Sequence, residues 1–249
     1  MTIPTVHINY PHLLMNDIYG GKNPRDLPNY SIGDAARYLK IPAATIRSWT
    51  VGRNYPVSEG EKKFYPLIEV KKSQPIRLSF TNLIEVHILR AIRKHHKIDL
   101  DKVRATLDYI NEQLQIPHPL AHQEFQTDGI DLFIERYGSL INTSKQGQTN
   151  LKDALKTHLE RIELDDRGLA IKLYPFTRNG EQDNPRWVVI DPRIAFGRLV
   201  IAGTGIPTSI LAERYKAGDS IDDLAYDYDC DRLKIEEAIR CEMDNKKAA

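Results

Sequence analysis

Ala44, Thr45, Arg47 and Ser48 surround Ile46 and Trp49 in a short run whose residue types suit the reading of a DNA groove. A guanidinium forks onto guanine or clamps a phosphate, and a threonine meets a thymine methyl or a phosphate oxygen. With Ile46 and Trp49 turned to a core, Ala44, Thr45, Arg47 and Ser48 would be left facing outward. Further on, Arg53, Lys62, Lys63 and Tyr65 flank a polar Ser58-Glu59-Gly60-Glu61 tip, and Lys71-Lys72 follows. Cations spaced in this way can follow a phosphate backbone; the plainer reading is solvated surface charge.

Other chemistries lack their residues. Cys230 and Cys241 are the two cysteines, and their spacing fits neither a CxxC redox pair nor a zinc ligand set. His95 and His96 precede Asp99 and Asp101, but adjacent histidines leave a helix on different sides, so no metal site is expected. Gly203-Thr204-Gly205 leads into Ile206-Pro207 without the lysine of a phosphate loop, and neither Ser209 nor Ser220 has a G-x-S-x-G setting. No nucleophile, base and metal set clusters, so neither an enzyme nor a cofactor is expected.

The elements that must position these residues are legible in the pattern. Ser31 caps a helix over Ile32–Leu39, with Asp34 favourable to its dipole and Ala35, Ala36 and Leu39 on one face with Ile32. Ile41-Pro42 breaks the chain, and a second helix runs over Ala43–Val51 to Gly52. Residues 53–68 suggest a hairpin or extended wing. A long amphipathic helix over Leu78–His95, with Ser79 as its cap, is followed by another that reaches Leu114 and is closed by Pro117 and Pro119. In the middle, Phe125–Arg136 and Tyr137–Thr143 read as short strands around Gly138, Leu151–Ile162 as a helix and Leu169–Phe176 as a strand. The last block has the apolar run Trp187–Ile190, a short strand pair near Phe196–Ile201, and helices over Thr208–Ala217, Ser220–Tyr228 and Asp231–Met243.

The chain has 249 residues and a formal net charge of +1, enough length for about two domains. That near-neutral total hides an asymmetry. Residues 31–115 hold fifteen basic and nine acidic side chains, whereas residues 188–249 hold nine basic and twelve acidic ones. Phosphate is attracted to the first stretch and repelled by the second, whose Asp219, Asp222, Asp223, Asp227, Asp229 and Asp231 lie close in sequence. The acidic trio of helices therefore suits dimerisation or a basic protein partner, with a solvated rim as the plain alternative. Neither a signal peptide nor a membrane span is recognisable.

Thr45-Ile46-Arg47, with Tyr65 beyond, resembles the MerR-type winged helix-turn-helix family, although Ser48-Trp49 stands where an aromatic-Tyr pair is usual and no effector-binding cysteines are present. Leu78–Arg93 resembles the segment after the wing in VapB-like antitoxins. Near the other end, Ile190-Asp191-Pro192, Gly197, Ile201–Pro207, Lys216-Ala217-Gly218 and Ser220–Ala225 resemble a small domain family of unknown function found in antitoxin-like proteins; Gly205 stands where an Arg is usual. Together these resemblances imply a VapB-like antitoxin: a MerR-like helix-turn-helix followed by a homeodomain-like helical domain.

The expected fold is mainly α with small β elements: an irregular arm over 1–29, a winged helix-turn-helix over 30–115, a mixed α/β connecting region over 116–186 and a small helical domain over 187–245. The expected function is that of a DNA-binding antitoxin that represses its own operon and neutralises a toxin, a PIN-like ribonuclease. Its expected partners are operator DNA, that toxin and a second copy, bound through the Leu78–His95 helix and the next, in the cytoplasm with no membrane contact. A stand-alone MerR-like regulator and an interaction protein that does not bind DNA are the alternatives.

Overall fold

The computed structural model describes residues 19–57, 60–95, 100–141, 144–178 and 184–243; the side chains of Val57, Lys62, Lys94 and His95 are excepted. Most of the expected arm and His96 and Asp99 lie outside the described residues. The protein is mainly α-helical with small β elements.

Local chemistry starts the helices where the sequence places them. Helix α1 (Ile32–Leu39) opens on a reciprocal cap: the Asp34 N–H donates to Ser31 Oγ at 3.0 Å, and the Ser31 N–H donates to the Asp34 carboxylate at 3.0 Å. Two orphan amides are thereby satisfied, a device worth about 1 kcal/mol. Lys40, in the left-handed conformation at φ 51°, ends α1, and Pro42 launches helix α2 (Ala43–Val51). Ser79 and Asn82 repeat the device at helix α3 (Phe80–His95). Leu78 itself pairs in a strand, because the reciprocal cap closes at Ser79 and leaves the preceding residue extended.

Strand β1 (Tyr30–Ser31) pairs antiparallel with β4 (Arg77–Leu78), which anchors both ends of the helix-turn-helix segment. Between them, β2 (Arg53–Val57) and β3 (Gly60–Phe64) form the expected hairpin, in register Arg53↔Phe64 to Val57↔Gly60. Helix α3 is the centre of the molecule. Phe80, Leu83, Ile84, Val86, Ile88, Leu89, Ala91 and Ile92 are all buried, and each such Leu or Ile contributes about 1.5–3 kcal/mol by leaving water. Its apolar stripe is therefore consumed inside the chain, and the expectation that it forms a dimer interface is corrected. The next helix, α4 (Leu100–Leu114), likewise turns Val103, Leu107 and Ile110 inward.

The largest departure from the sequence reading is over 125–141. A π-helical turn at Phe125–Gly129 runs into helix α5 (Ile130–Ile141), where two strands were expected. Phe133 and Tyr137 stack one turn apart with ring centroids at 5.5 Å, and Ile130 and Ile134 bury on the same side. The 3.6-residue spacing of these β-favouring side chains overrides their propensity. Helix α6 (Lys145–Leu159) is capped by Ser144 and starts earlier than expected.

A four-stranded antiparallel sheet follows, in the order β5 (Ile162–Leu164), β6 (Ala170–Leu173), β7 (Val188–Ile190) and β8 (Leu199–Ile201). The β6–β7 pairing, Leu173↔Ile190, carries the sheet across the point where the last domain was expected to begin. Helices α7 (Thr208–Ala217), α8 (Ile221–Asp227) and α9 (Arg232–Met243) close a second small core of Ile201, Leu211, Leu224, Ile235, Ala238 and Ile239.

That trio is docked against the helix-turn-helix. Arg37 of α1 bridges to Glu242 of α9 at 2.5 Å, Thr208 donates to the same carboxylate at 2.6 Å, and Lys40 Nζ donates to the Thr177 carbonyl at 2.5 Å. Gly197 holds φ 73° with the Tyr30 ring directly over it, so any Cβ at Gly197 would overlap the tyrosine hydroxyl. This is why a glycine is needed there.

Candidate nucleic-acid interface

In α2 the apolar periodicity orients the helix as expected: Ile46 and Trp49 are buried, while Ala44 and Arg47 are exposed and Thr45 is half-buried. Ser48 differs. It was expected on the outward face, but only 9% of it is exposed and its hydroxyl has no hydrogen-bond partner among the described residues. The reason is tertiary. After the hairpin the chain returns under α2, and the N–H groups of Leu67 and Ile68 both donate to the Trp49 carbonyl, at 2.7 and 3.0 Å. Ser48, Trp49 and Thr50 are thereby covered together.

Gly52 makes this return possible. At φ 82° it reverses the backbone, and a Cβ there would collide with the Phe64 carbonyl oxygen. The hairpin consequently starts at the foot of α2. Arg53 and Lys63 are exposed on adjacent strands, Lys63 Nζ lies 5.0 Å from the Tyr65 ring centroid, and Tyr65 is 58% exposed. The Lys62 backbone lies in β3 opposite Tyr55, and its side chain is outside the described residues. Arg104 of α4 fixes the hairpin's exit: it donates to the Pro66 carbonyl at 2.7 Å and to the Tyr65 carbonyl, with its guanidinium over Phe64.

Two basic residues absent from the sequence expectation belong to this surface. Arg93, on α3, is exposed and donates to Thr45 Oγ1; the other is Arg104. Their signal in the sequence is their place near the polar ends of α3 and α4, which periodicity alone assigns to solvent. Among the described residues Arg47, Arg53, Arg93 and Arg104 have no carboxylate partner within salt-bridge distance. Such a surface attracts polyanions, since no carboxylate among the described residues is paired with these arginines.

Arginines of the C-terminal unit are engaged differently. Arg178 grips Glu237 at 2.9 Å, Arg214 spans Asp219 and Asp227 at 2.6 Å each, and Arg232 joins Asp222 at 2.9 Å to Glu236 at 3.1 Å. Burial would raise the Glu237 carboxyl, but its bonds to Arg178 and Thr177 and the nearby charges hold it below the ordinary carboxylate value.

Between the two surfaces lies a buried aromatic cluster. His87 Nε2 donates to the His158 carbonyl at 3.0 Å, the two imidazoles stand 4.9 Å apart, and His87 stacks on Phe176. Burial, then His158 and the cations Arg90 and Arg161, hold His87 well below the usual histidine value and therefore neutral. Arg161 donates to four backbone carbonyls, those of Tyr174, Pro175, Asn184 and Pro185, and burial lowers it to about 10. Among the described residues no group of three or more His, Cys, Asp or Glu stands together to hold a metal ion, and no helix is long and apolar enough to cross a membrane.

Comparison with known proteins follows the same two regions. A family described as "Putative DNA-binding HTH domain" matches residues 28–107, and one described as "Protein of unknown function (DUF433)" matches residues 188–240. The chain is 29% identical over 221 residues to "Putative antitoxin VapB45" of Mycobacterium tuberculosis strain H37Rv, covering 82% of this chain and 89% of that protein. It is 23% identical over 216 residues to "Uncharacterized protein Rv2308" of the same strain, covering 84% and 88%. The X-ray crystal structure of Rv2018 from Mycobacterium tuberculosis shares the fold, with a TM-score of 0.62 at 23% identity over 86% of this chain and 98% of that one. The chain is thus similar over most of its length to a protein named as an antitoxin, with the "Putative DNA-binding HTH domain" matched over residues 28–107 and DUF433 matched over residues 188–240.

Proposed function

We propose that this protein is the DNA-binding antitoxin of a toxin–antitoxin pair, which represses its own operon and neutralises a cognate toxin, a PIN-like ribonuclease, by direct binding. The observation that carries the DNA half is the set of arginines around α2 and the hairpin that lack an acid partner among the described residues. In this reading Arg47 and Thr45 meet base edges in the major groove, and Ala44 lets the helix approach closely. Arg53, Lys62, Lys63 and Tyr65 set the hairpin, as a wing, on phosphates. Ser48, being buried, takes no part.

The acidic trio α7–α9 serves the protein partner, a basic toxin surface or a second copy on a palindromic operator. Its outward apolar side chains, Tyr226 at 88% and Leu233 at 53% exposure, lie among Asp222, Asp229 and Asp231. The protein performs no reaction in this reading and acts in the cytoplasm. The similarity to the protein named as antitoxin VapB45 supports the same assignment.

The test is co-purification with the product of the neighbouring gene, followed by a mobility shift of the promoter fragment with and without it. Capture of that product and a shifted promoter are expected. A shift without capture leaves a stand-alone regulator, and loss of both signals removes the antitoxin reading.

A further inference from the structure

Two arginines one turn apart on α3 straddle the turn of the helix-turn-helix. Arg90 donates to the carbonyl of Leu39, the last residue of α1, at 2.6 Å, and Arg93 donates to the hydroxyl of Thr45 in the first turn of α2. They differ in surroundings. Arg90 is half-buried with its guanidinium 5.6 Å from the Phe176 ring centroid, so it acts as an internal strut. Arg93 is exposed, and among the described residues it has no carboxylate partner. A guanidinium carries five N–H groups, and the bond to Thr45 uses one of them.

We propose that Arg93 and Thr45 together form a seat for a backbone phosphate of bound DNA, contributed by α3 rather than by α2 or the hairpin. The Thr45 oxygen accepts from Arg93, so its own O–H is directed elsewhere and can donate to a further acceptor. A phosphate oxygen beside the pair receives that O–H together with a second N–H of the guanidinium, which are two charge-assisted bonds to one anion. The existing bond to Thr45 holds the long side chain in place before DNA arrives, so less freedom is lost on binding. Thr45 then serves the backbone in place of the base-edge contact given above, and Arg47, on the open face of the same helix, is left to read the base edges. The seat rests on the DNA-binding reading given above and makes it more specific.

The full-length chain is titrated onto two fluorescent duplexes of about 30 base pairs, one from its own promoter and one of random sequence, at salt concentrations between about 50 and 200 mM. Arg93→Ala is expected to weaken binding to both duplexes by a similar factor, about three- to tenfold, and to reduce the salt slope by about one. Arg93→Lys keeps the charge and should retain the slope with a smaller loss. Thr45→Val keeps the shape without the hydroxyl and should weaken both duplexes without relaxing the preference for the promoter. Arg47→Ala should instead reduce that preference. If Arg93→Ala leaves affinity and slope unchanged while Arg47→Ala weakens promoter binding, the seat is wrong and the DNA-binding reading stands. If the unaltered chain binds neither duplex, both fail together.

Discussion

Arg47, Arg53, Arg93 and Arg104 reach no carboxylate among the described residues, whereas Arg193, Arg214, Arg232 and Arg240 each reach at least one. The first group lies at the helix-turn-helix end and the second at the C-terminal end of one continuous molecule. The difference teaches that the net charge of +1 is a sum of unlike surfaces. The four arginines at the first end are open to an external anion; the four at the other are engaged with internal ones, in a stretch where carboxylates outnumber cations. Counting charges along the chain finds the imbalance, but only the pairing shows which cations are open.

Four experiments test that contrast. The largest effect is expected from Glu237→Ala. The Glu237 side chain is 1% exposed between Arg178 and Arg240, and removing it takes this shared carboxylate from both guanidiniums. Because Arg178 is itself 41% exposed, water recovers part of the loss, and a destabilisation of about 2–3 kcal/mol is expected in urea unfolding. A negligible loss would mean that pairing at this end is superficial.

Next, Arg47→Ala should weaken promoter binding by about 1–3 kcal/mol with the melting temperature unchanged, since the side chain is exposed. Arg214→Ala should leave promoter binding as it was. Equal losses from the two variants would break the contrast.

A smaller effect concerns the region between the ends. His87 is neutral in the folded chain, held low by burial and then by His158, and in the unfolded chain it titrates near the ordinary value of 6.5. The stability it confers is therefore complete above pH 6.5 and is lost as the pH falls below it, by at most about 1.4 kcal/mol per pH unit. Urea midpoints at about pH 7.5 and about pH 5.5 should differ accordingly, with one transition for both ends because the main core runs from the helix-turn-helix through β7 and β8 to Cys241 of α9. Equal midpoints would show that the cluster accepts a proton without cost.

The smallest effect is expected from Arg232→Ala. Both of its ion pairs lie in solvent, with the arginine 55% exposed, so stability should change by less than about 0.5 kcal/mol. A loss above about 1 kcal/mol would place more order in that surface than its exposure implies.

Much of this was legible in the sequence where local chemistry decides the outcome. The bounds of α1 and α2 follow from the Ser31–Asp34 cap, Pro42 and Gly52, because capping, ring constraint and positive φ all act within a few residues. The burial of Ile46 and Trp49 follows for the same reason. That of Ser48 does not, since it depends on a return of the chain at Leu67 and Ile68 that no local pattern encodes. Over Phe125–Ile141 the β-favouring composition points to strands, and the 3.6-residue spacing decides for helix. Arg93 is invisible to a motif search, as its link to Thr45 joins helices separated by the whole hairpin.

The sheet that pairs Leu173 with Ile190 bears on how the two ends can communicate. Domains strung on a flexible linker bind their partners with an effective concentration set by tether length. Here β6 and β7 are neighbouring strands, and Tyr30 lies over Gly197, so the ends are held in a fixed relation. Two partners bound at once would meet at one distance and one angle, and each would help or obstruct the other through shape and charge rather than through tether entropy. A cut at the expected boundary would open a strand edge on both fragments. Single substitutions on the intact chain are therefore the sound way to test the two proposed roles.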